Sequence, residues 1–165
     1  TDPAYAAYKE YEVIGHGEGK WRLAAAKLKE ISELGNDYWS PRALQQLAWV
    51  YKDRTHQYEE AIKVYTQLNN PPHTLWGIQD CYIRMKQLKK AIMTLTEIEN
   101  MFPKHASRAA WYKARYYRSA GNKKMAIAHA RKILKAYPKS GEASAAHQML
   151  EDLGVDTGGG VVHEP

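Results

Sequence analysis

The chain has little that would cross-link it or carry it through a membrane. One of its 165 residues is cysteine, Cys81, so no internal disulfide can form, and the redox compartment stays open. No stretch approaches the ~18–20 consecutive apolar residues of a membrane span, and no secretory signal is visible. A chain that begins at Thr1 instead of an initiator methionine is expected to be a mature or trimmed form of something longer. Strand-like alternation of apolar and polar residues is absent throughout. The seven histidines are scattered and no pair has zinc-site spacing, so no metal, cofactor or catalytic chemistry is expected. Cys81 reads as a small core residue and not as a nucleophile. The stretch GHGEG at 15–19 has no strand before it. It is therefore not a dinucleotide loop and reads as a flexible turn between two helices.

Phenylalanine is nearly missing, with one against twelve tyrosines and five tryptophans. Tyrosine and tryptophan suit surfaces that are part apolar and part hydrogen-bonding, a bias toward binding that helix interfaces also use. Acidic residues are missing between Glu99 and Glu142, where eleven basic residues stand. The net charge of +6 is therefore uneven: residues 1–60 hold eight basic and ten acidic side chains, and residues 61–165 hold sixteen and eight. Such a basic half calls for an anionic partner, an acidic peptide, nucleic acid or anionic polymer. The plainer reading is a solvated lysine face, which suits Lys124, Arg131 and Lys135.

What the chain has in quantity is helical periodicity, and it repeats. Ala126, Ala130, Ile133 and Tyr137 form one helical stripe between Gly121 and Pro138. Ala91, Leu95, Ile98 and Phe102, stopped by Pro103, repeat it 35 residues earlier. Ala61, Tyr65 and Leu68, then Ala24, Leu28 and Ile31, extend it toward the N-terminus. Each of the last three stripes follows a partner helix: Leu44, Leu47, Ala48 and Tyr51; Leu75, Ile78 and Tyr82; Ala110, Ala114 and Tyr117. Ser40 before Pro41 reads as an N-cap, as do Asp2-Pro3 and Pro72. One helical hairpin cannot bury its apolar face alone, so neighbouring hairpins must stack.

These spacings resemble the tetratricopeptide repeat (TPR). Ala114, Tyr117, Gly121, Ala126 and Pro138 fall on that family's small, aromatic, turn, small and closing positions. One repeat earlier Ala91, Tyr82 and Pro103 match, while Gln79 and Lys86 replace the small residue and the turn glycine. The resemblance spans roughly residues 4–153. It implies an all-α, right-handed solenoid of about four hairpins with a capping helix, GEASAAHQMLEDLG, facing Ala143, Ala146 and Leu150 inward. The expected division is 1–154 for the repeats and 155–165 for a Gly-rich tail lying in a groove or on a neighbouring copy. The YPKS stretch and its flanks are similar to TPRs of bacterial envelope proteins, those of Tol-Pal-associated and outer-membrane assembly factors. That implies a periplasmic or envelope location, with the cytoplasm as alternative.

The resemblance also implies function: a non-catalytic scaffold that binds a protein or peptide segment, expected to be acidic, in its concave groove. The alternative is nucleic-acid or anionic-polymer binding through the basic half. Helix positions off the core stripe line the groove in this family. They select Arg42, Gln45, Trp49 and Lys52; then His73, Trp76, Asp80, Ile83 and Arg84; then Arg108, Trp111, Arg115 and Arg118. Trp76 and Trp111 stand 35 apart, in equivalent places. Ordered indoles beside guanidiniums suit apolar anchoring with bidentate carboxylate binding, although the indoles could equally pack between repeats. The family's carboxylate clamp for chaperone tails is not implied, because Trp49 and Asp80 stand where asparagine is required.

Overall fold

The computed structural model describes residues 2–155. Among them there is no strand, and nine α-helices fall into two compact units that divide between Met85 and Lys86. The all-α helical-repeat expectation holds.

The first unit carries α1 (Pro3–Glu12), α2 (Trp21–Ser32), α3 (Trp39–Asp53), α4 (Tyr58–Leu68) and α5 (His73–Arg84), each packed on the next. Its core joins the expected stripes: Ala24, Leu28, Ile31, Leu47, Ala48, Ala61 and Tyr65 are buried together with Tyr11, Val50 and Cys81. Burial pushes the Cys81 thiol up to about 12, which removes the thiolate a nucleophile would need. The second unit carries α6 (Leu88–Met101), a 3₁₀ turn (Pro103–His105), α7 (Ala106–Ser119), α8 (Lys123–Ala136) and α9 (Gly141–Asp152). Ala110, Ala114, Ala126, Ala130, Ile133, Ala146, Met149 and Leu150 form its core, so α9 caps the stack as expected. Val155 packs against this cluster, and the rest of the tail, 156–165, lies outside the described residues.

The turns explain the sequence departures. Gly121, after α7, has φ 79°, the left-handed conformation glycine adopts without a Cβ penalty. Lys86 stands at the matching place after α5 with φ 60°, and His56 after α3 with φ 55°. The backbone turn is thus kept where the glycine is not. In α5 the small residue has moved. Gly77 is buried, and a Cβ there would clash with the Tyr65 ring, so Tyr65 of α4 packs directly on the backbone of α5. Gln79 is buried too, its amide nitrogen donating to the Trp76 carbonyl at 3.0 Å. The α5 stripe rotates accordingly: Thr74, Gly77, Gln79 and Cys81 are buried, while Leu75, Ile78 and Tyr82 are half-buried.

Three local expectations are corrected. Ser40 is not the cap of α3. The helix begins one residue earlier, and Asn36 Oδ1 accepts from the N–H groups of Tyr38 and Trp39, at 3.0 and 2.8 Å. Ser40 is buried instead, donating to the Ile31 carbonyl at 2.8 Å. The glycine-rich stretch at 15–19 is not a loose turn. Val13–Gly17 continue α1 as a π-helix, with buried Gly15 against Trp21. Finally, the basic run does not lie wholly on the surface. Lys113 is 3% exposed and sits 2.6 Å from the carboxylate of Glu99, itself 8% exposed.

Candidate functional site

In the first unit a chain of ring contacts runs through α1, the π-turn, α2 and α3. Tyr38 meets Trp39 at 4.8 Å between centroids, Trp39 meets Tyr8 at 4.9 Å, and Tyr8 meets Tyr11 at 5.3 Å. Tyr11 meets His16 at 5.8 Å, and His16 lies nearly parallel to Trp49 at 5.7 Å. Trp21 closes the group edge-on to both His16 and Trp49. The guanidinium of Arg54 lies over Trp21 and Trp49, at 4.9 and 5.1 Å. The extra π-helical residue brings His16 to this place, a recurrent use of such insertions. Tyr11 holds it there: the hydroxyl donates to Gln46 Oε1 at 3.3 Å and faces His16 Nε2 at 3.2 Å.

Beside these rings opens a pocket of about 510 Å³ lined by His16, Gln45, Gln46, Trp49, Lys52, Tyr65 and His73. Lys52 is held at its edge by two carboxylates, Asp80 at 3.0 Å and Asp53 at 3.1 Å. Arg84 binds the same two, Asp80 through Nε at 3.2 Å and Asp53 at 3.3 Å. Two cations and two anions therefore form a closed, neutral quartet. Burial presses the Lys52 ammonium downward, but the hydrogen bonds to Asp80 and Asp53 outweigh it and leave the group above its ordinary value.

The selected residues of this unit thus fall into different roles. Gln45, Trp49, Lys52 and His73 share the pocket. Asp80 and Arg84 lie in the ionic quartet. Arg42 stacks on Tyr38 at 3.5 Å while donating to its carbonyl at 3.0 Å. Trp76 and Ile83 are half-buried. His16, Gln46 and Tyr65 join the pocket although spacing did not select them. For His16 no periodic signal exists, because the π-turn breaks the period.

In the second unit α7 carries the selected face. Arg108 and Arg115 lie over the ring of Tyr112, at 5.6 and 5.4 Å. Both are exposed, and Tyr112 is half-buried, edge-on to Tyr116 at 5.9 Å. Arg118 approaches Asp152 at 4.0 Å. Trp111 is half-buried and packs against the core of the unit. Among the described residues no group of three metal-ligating side chains occurs, and no helix is long and apolar enough to cross a membrane.

Comparison with known proteins bears on the fold. The family model of the tetratricopeptide repeat matches residues 108–140. Two solved structures share the fold. A MamA structure (RS-1 ArsTM double mutant) has TM-score 0.63 and 18% identity over 93% of this chain and 84% of its own. A tetratricopeptide repeat protein from Parabacteroides merdae ATCC 43184 has TM-score 0.61 and 20% identity, over 90% of this chain and 60% of its own. No curated protein matches. Proteins of this repeat are typically scaffolds for protein–protein interaction. The chain is therefore a helical-repeat protein of tetratricopeptide fold, with a matched repeat at residues 108–140.

Proposed function

We propose that this protein is a non-catalytic scaffold that binds an acidic segment of a protein partner, with α7 as the helix that reads the carboxylates. The observation that carries this is the placement of Arg108 and Arg115 on either side of Tyr112, in a stretch with no acidic residue from 100 to 141. The exposed Arg115 guanidinium, over the ring at 5.4 Å, has an N–H edge that can meet a carboxylate through two parallel hydrogen bonds. Trp111 and Arg118 continue the face along the same helix. Arg42, Trp76 and Ile83 are proposed as partner contacts of the first unit, taken by itself. Asp80 and Arg84, bound to each other, would contribute shape more than charge. The similarity of the YPKS stretch to envelope TPRs favours a bacterial envelope partner.

The test is capture of partners from the source cell's extract by the parent chain, Arg115→Ala, Arg115→Lys and a Lys124→Ala/Lys135→Ala double variant. Arg115→Ala should weaken the captured partner by about 2 kcal/mol, the scale of an interface hot spot, and Arg115→Lys should restore little. If the lysine variant abolishes capture while Arg115→Ala does not, the partner binds the other face of the second unit. If the captured material is nucleic acid, with affinity falling steeply with salt, the polymer-binding alternative replaces the proposal.

A further inference from the structure

The pocket of the first unit is floored by a buried hydroxyl with no hydrogen-bond partner among the described residues, and we infer that it is a small-molecule site for a neutral, hydroxyl-rich ligand, a short saccharide or polyol. The inference does not depend on the reading of α7.

The observation that carries it is Tyr65. The residue is 5% exposed and lines the pocket, yet its hydroxyl makes none of the hydrogen bonds found among the described residues. Buried polar groups are as a rule paired, and leaving one unpaired costs free energy. The Tyr65 ring packs directly on the backbone at Gly77, which fixes where the hydroxyl stands. Burial pushes this hydroxyl up to about 12, so near neutral pH it stays O–H, able to donate and to accept. Whatever displaces solvent from such a group must reproduce its hydrogen bonds. A ligand hydroxyl, donor and acceptor at once, does so.

The other groups of the pocket are mixed in the same way. Lys52 has three N–H donors and meets two carboxylates, Asp80 at 3.0 Å and Asp53 at 3.1 Å, so a third donor is left for a ligand. Gln46 accepts from Tyr11 through Oε1, which leaves its amide nitrogen to donate. Gln45 is exposed and makes none of the hydrogen bonds found among the described residues, so its amide presents a donor and an acceptor together. Two neighbouring hydroxyls meet such an amide with one acceptor and one donor. A carboxylate could take the Lys52 and Gln46 donors, but it only accepts, and it would stand next to Asp53 and Asp80. A hydroxyl uses donors and acceptors alike and adds no charge to the neutral quartet. Trp49, with His16 nearly parallel to it at 5.7 Å, supplies an apolar wall for the C–H groups of a sugar. The volume of about 510 Å³ is within the usual range of ligand sites.

The experiment is saturation-transfer NMR of the whole chain with a panel of neutral mono- and disaccharides, and with sodium acetate and inorganic phosphate as the anionic arms. The parent is compared with Tyr65→Phe, Gln45→Ala and Arg115→Ala. At least one neutral saccharide should bind the parent, and Tyr65→Phe should weaken it about fivefold or more, the worth of one hydrogen bond. Because that hydroxyl has no described bond to lose, Tyr65→Phe should leave the melting temperature unchanged or raised. Gln45→Ala, at an exposed position, should weaken the same saccharide and decides the matter if Tyr65→Phe lowers the melting temperature. Arg115→Ala should bind it as the parent does, so failure of the α7 reading would show separately. The inference is overturned if only acetate or phosphate binds, if no saccharide binds, or if the bound saccharide is indifferent to both Tyr65→Phe and Gln45→Ala.

Discussion

Lys113 and Glu99 form an ion pair of 2.6 Å inside the second unit, and Tyr137 completes it by donating to the other carboxylate oxygen at 2.6 Å. Lys113 also donates to Thr96 Oγ1 at 3.2 Å. Two charges are thus taken out of water in a small core, with bonds from α6, α7 and the end of α8. Removal of one partner leaves the other buried and uncompensated. Lys113→Met should cost about 3–5 kcal/mol, whereas Lys113→Met combined with Glu99→Leu should recover most of that loss. Denaturant melts of the two single variants and the double variant measure the coupling directly. A loss in the double variant equal to the sum of the two single losses would mean the pair is not coupled.

Acid should weaken the second unit in two steps. His129 stacks on Tyr117, and burial, with Lys113 and Lys132 nearby, holds its pKa below the ordinary 6.5. The folded state therefore prefers neutral imidazole. Its contribution is whole above 6.5 and is lost as pH falls from there toward the folded value. Burial would raise Glu99, but Lys113 and Tyr137 overcome it and hold the carboxyl below its ordinary 4.5. That contribution is present above 4.5 and is lost as pH falls through the folded value. Thermal melts from pH 7.5 to 3.5 should show both limbs, and His129→Gln should flatten the upper limb alone.

Lys86 occupies a left-handed turn that glycine would adopt more easily. Lys86→Gly should raise stability by about 0.5–1 kcal/mol, the relief of Cβ strain less the added freedom of the unfolded chain. The matching change at Gly121, to alanine, should lower stability by a similar amount. Chemical denaturation of both variants provides the comparison, and a loss on Lys86→Gly would mean that the lysine side chain holds the turn by some other contact.

Gly77→Ala should be costly for a residue that gains only a methyl group. The added carbon would clash with the Tyr65 ring, and Tyr65 is buried, so the ring or α5 itself must shift. A loss of about 2–3 kcal/mol is expected, as for other overpacked core positions. Tyr65→Leu in the same chain should return part of it, read as a rise in melting temperature over the single variant.

The repeat was legible because it rests on local signals: alanines at helical spacing, prolines at helix ends and a glycine at Gly121. The same reading missed whatever depends on contacts between helices. Lys113 was counted with a basic run, although it stands where Leu47 and Ile78 stand in other repeats. A lysine in an apolar slot signals a buried partner, but Glu99 lies on a different helix and no spacing ties the two. The pocket was half legible. Gln45, Trp49, Lys52 and His73 follow from helix phase, whereas His16 arrives through a π-turn that no periodic pattern encodes. The quartet around Lys52 was hidden for another reason: charges at positions 52, 53, 80 and 84 each look like surface residues until the fold closes them on one another.

The stacked rings also make the first unit its own optical probe. Trp21 and Trp49 meet edge to face at 5.4 Å, and the imidazole of His16 contacts both. Indoles this close couple their transitions, so the near-ultraviolet circular dichroism of the native chain should be dominated by this group. Trp111 is the one tryptophan after Met85, so the emission of a Trp111→Phe chain comes from the first unit alone. The difference from the parent isolates the second. Whether the two units melt together or apart can therefore be read from intrinsic signals, with no label attached.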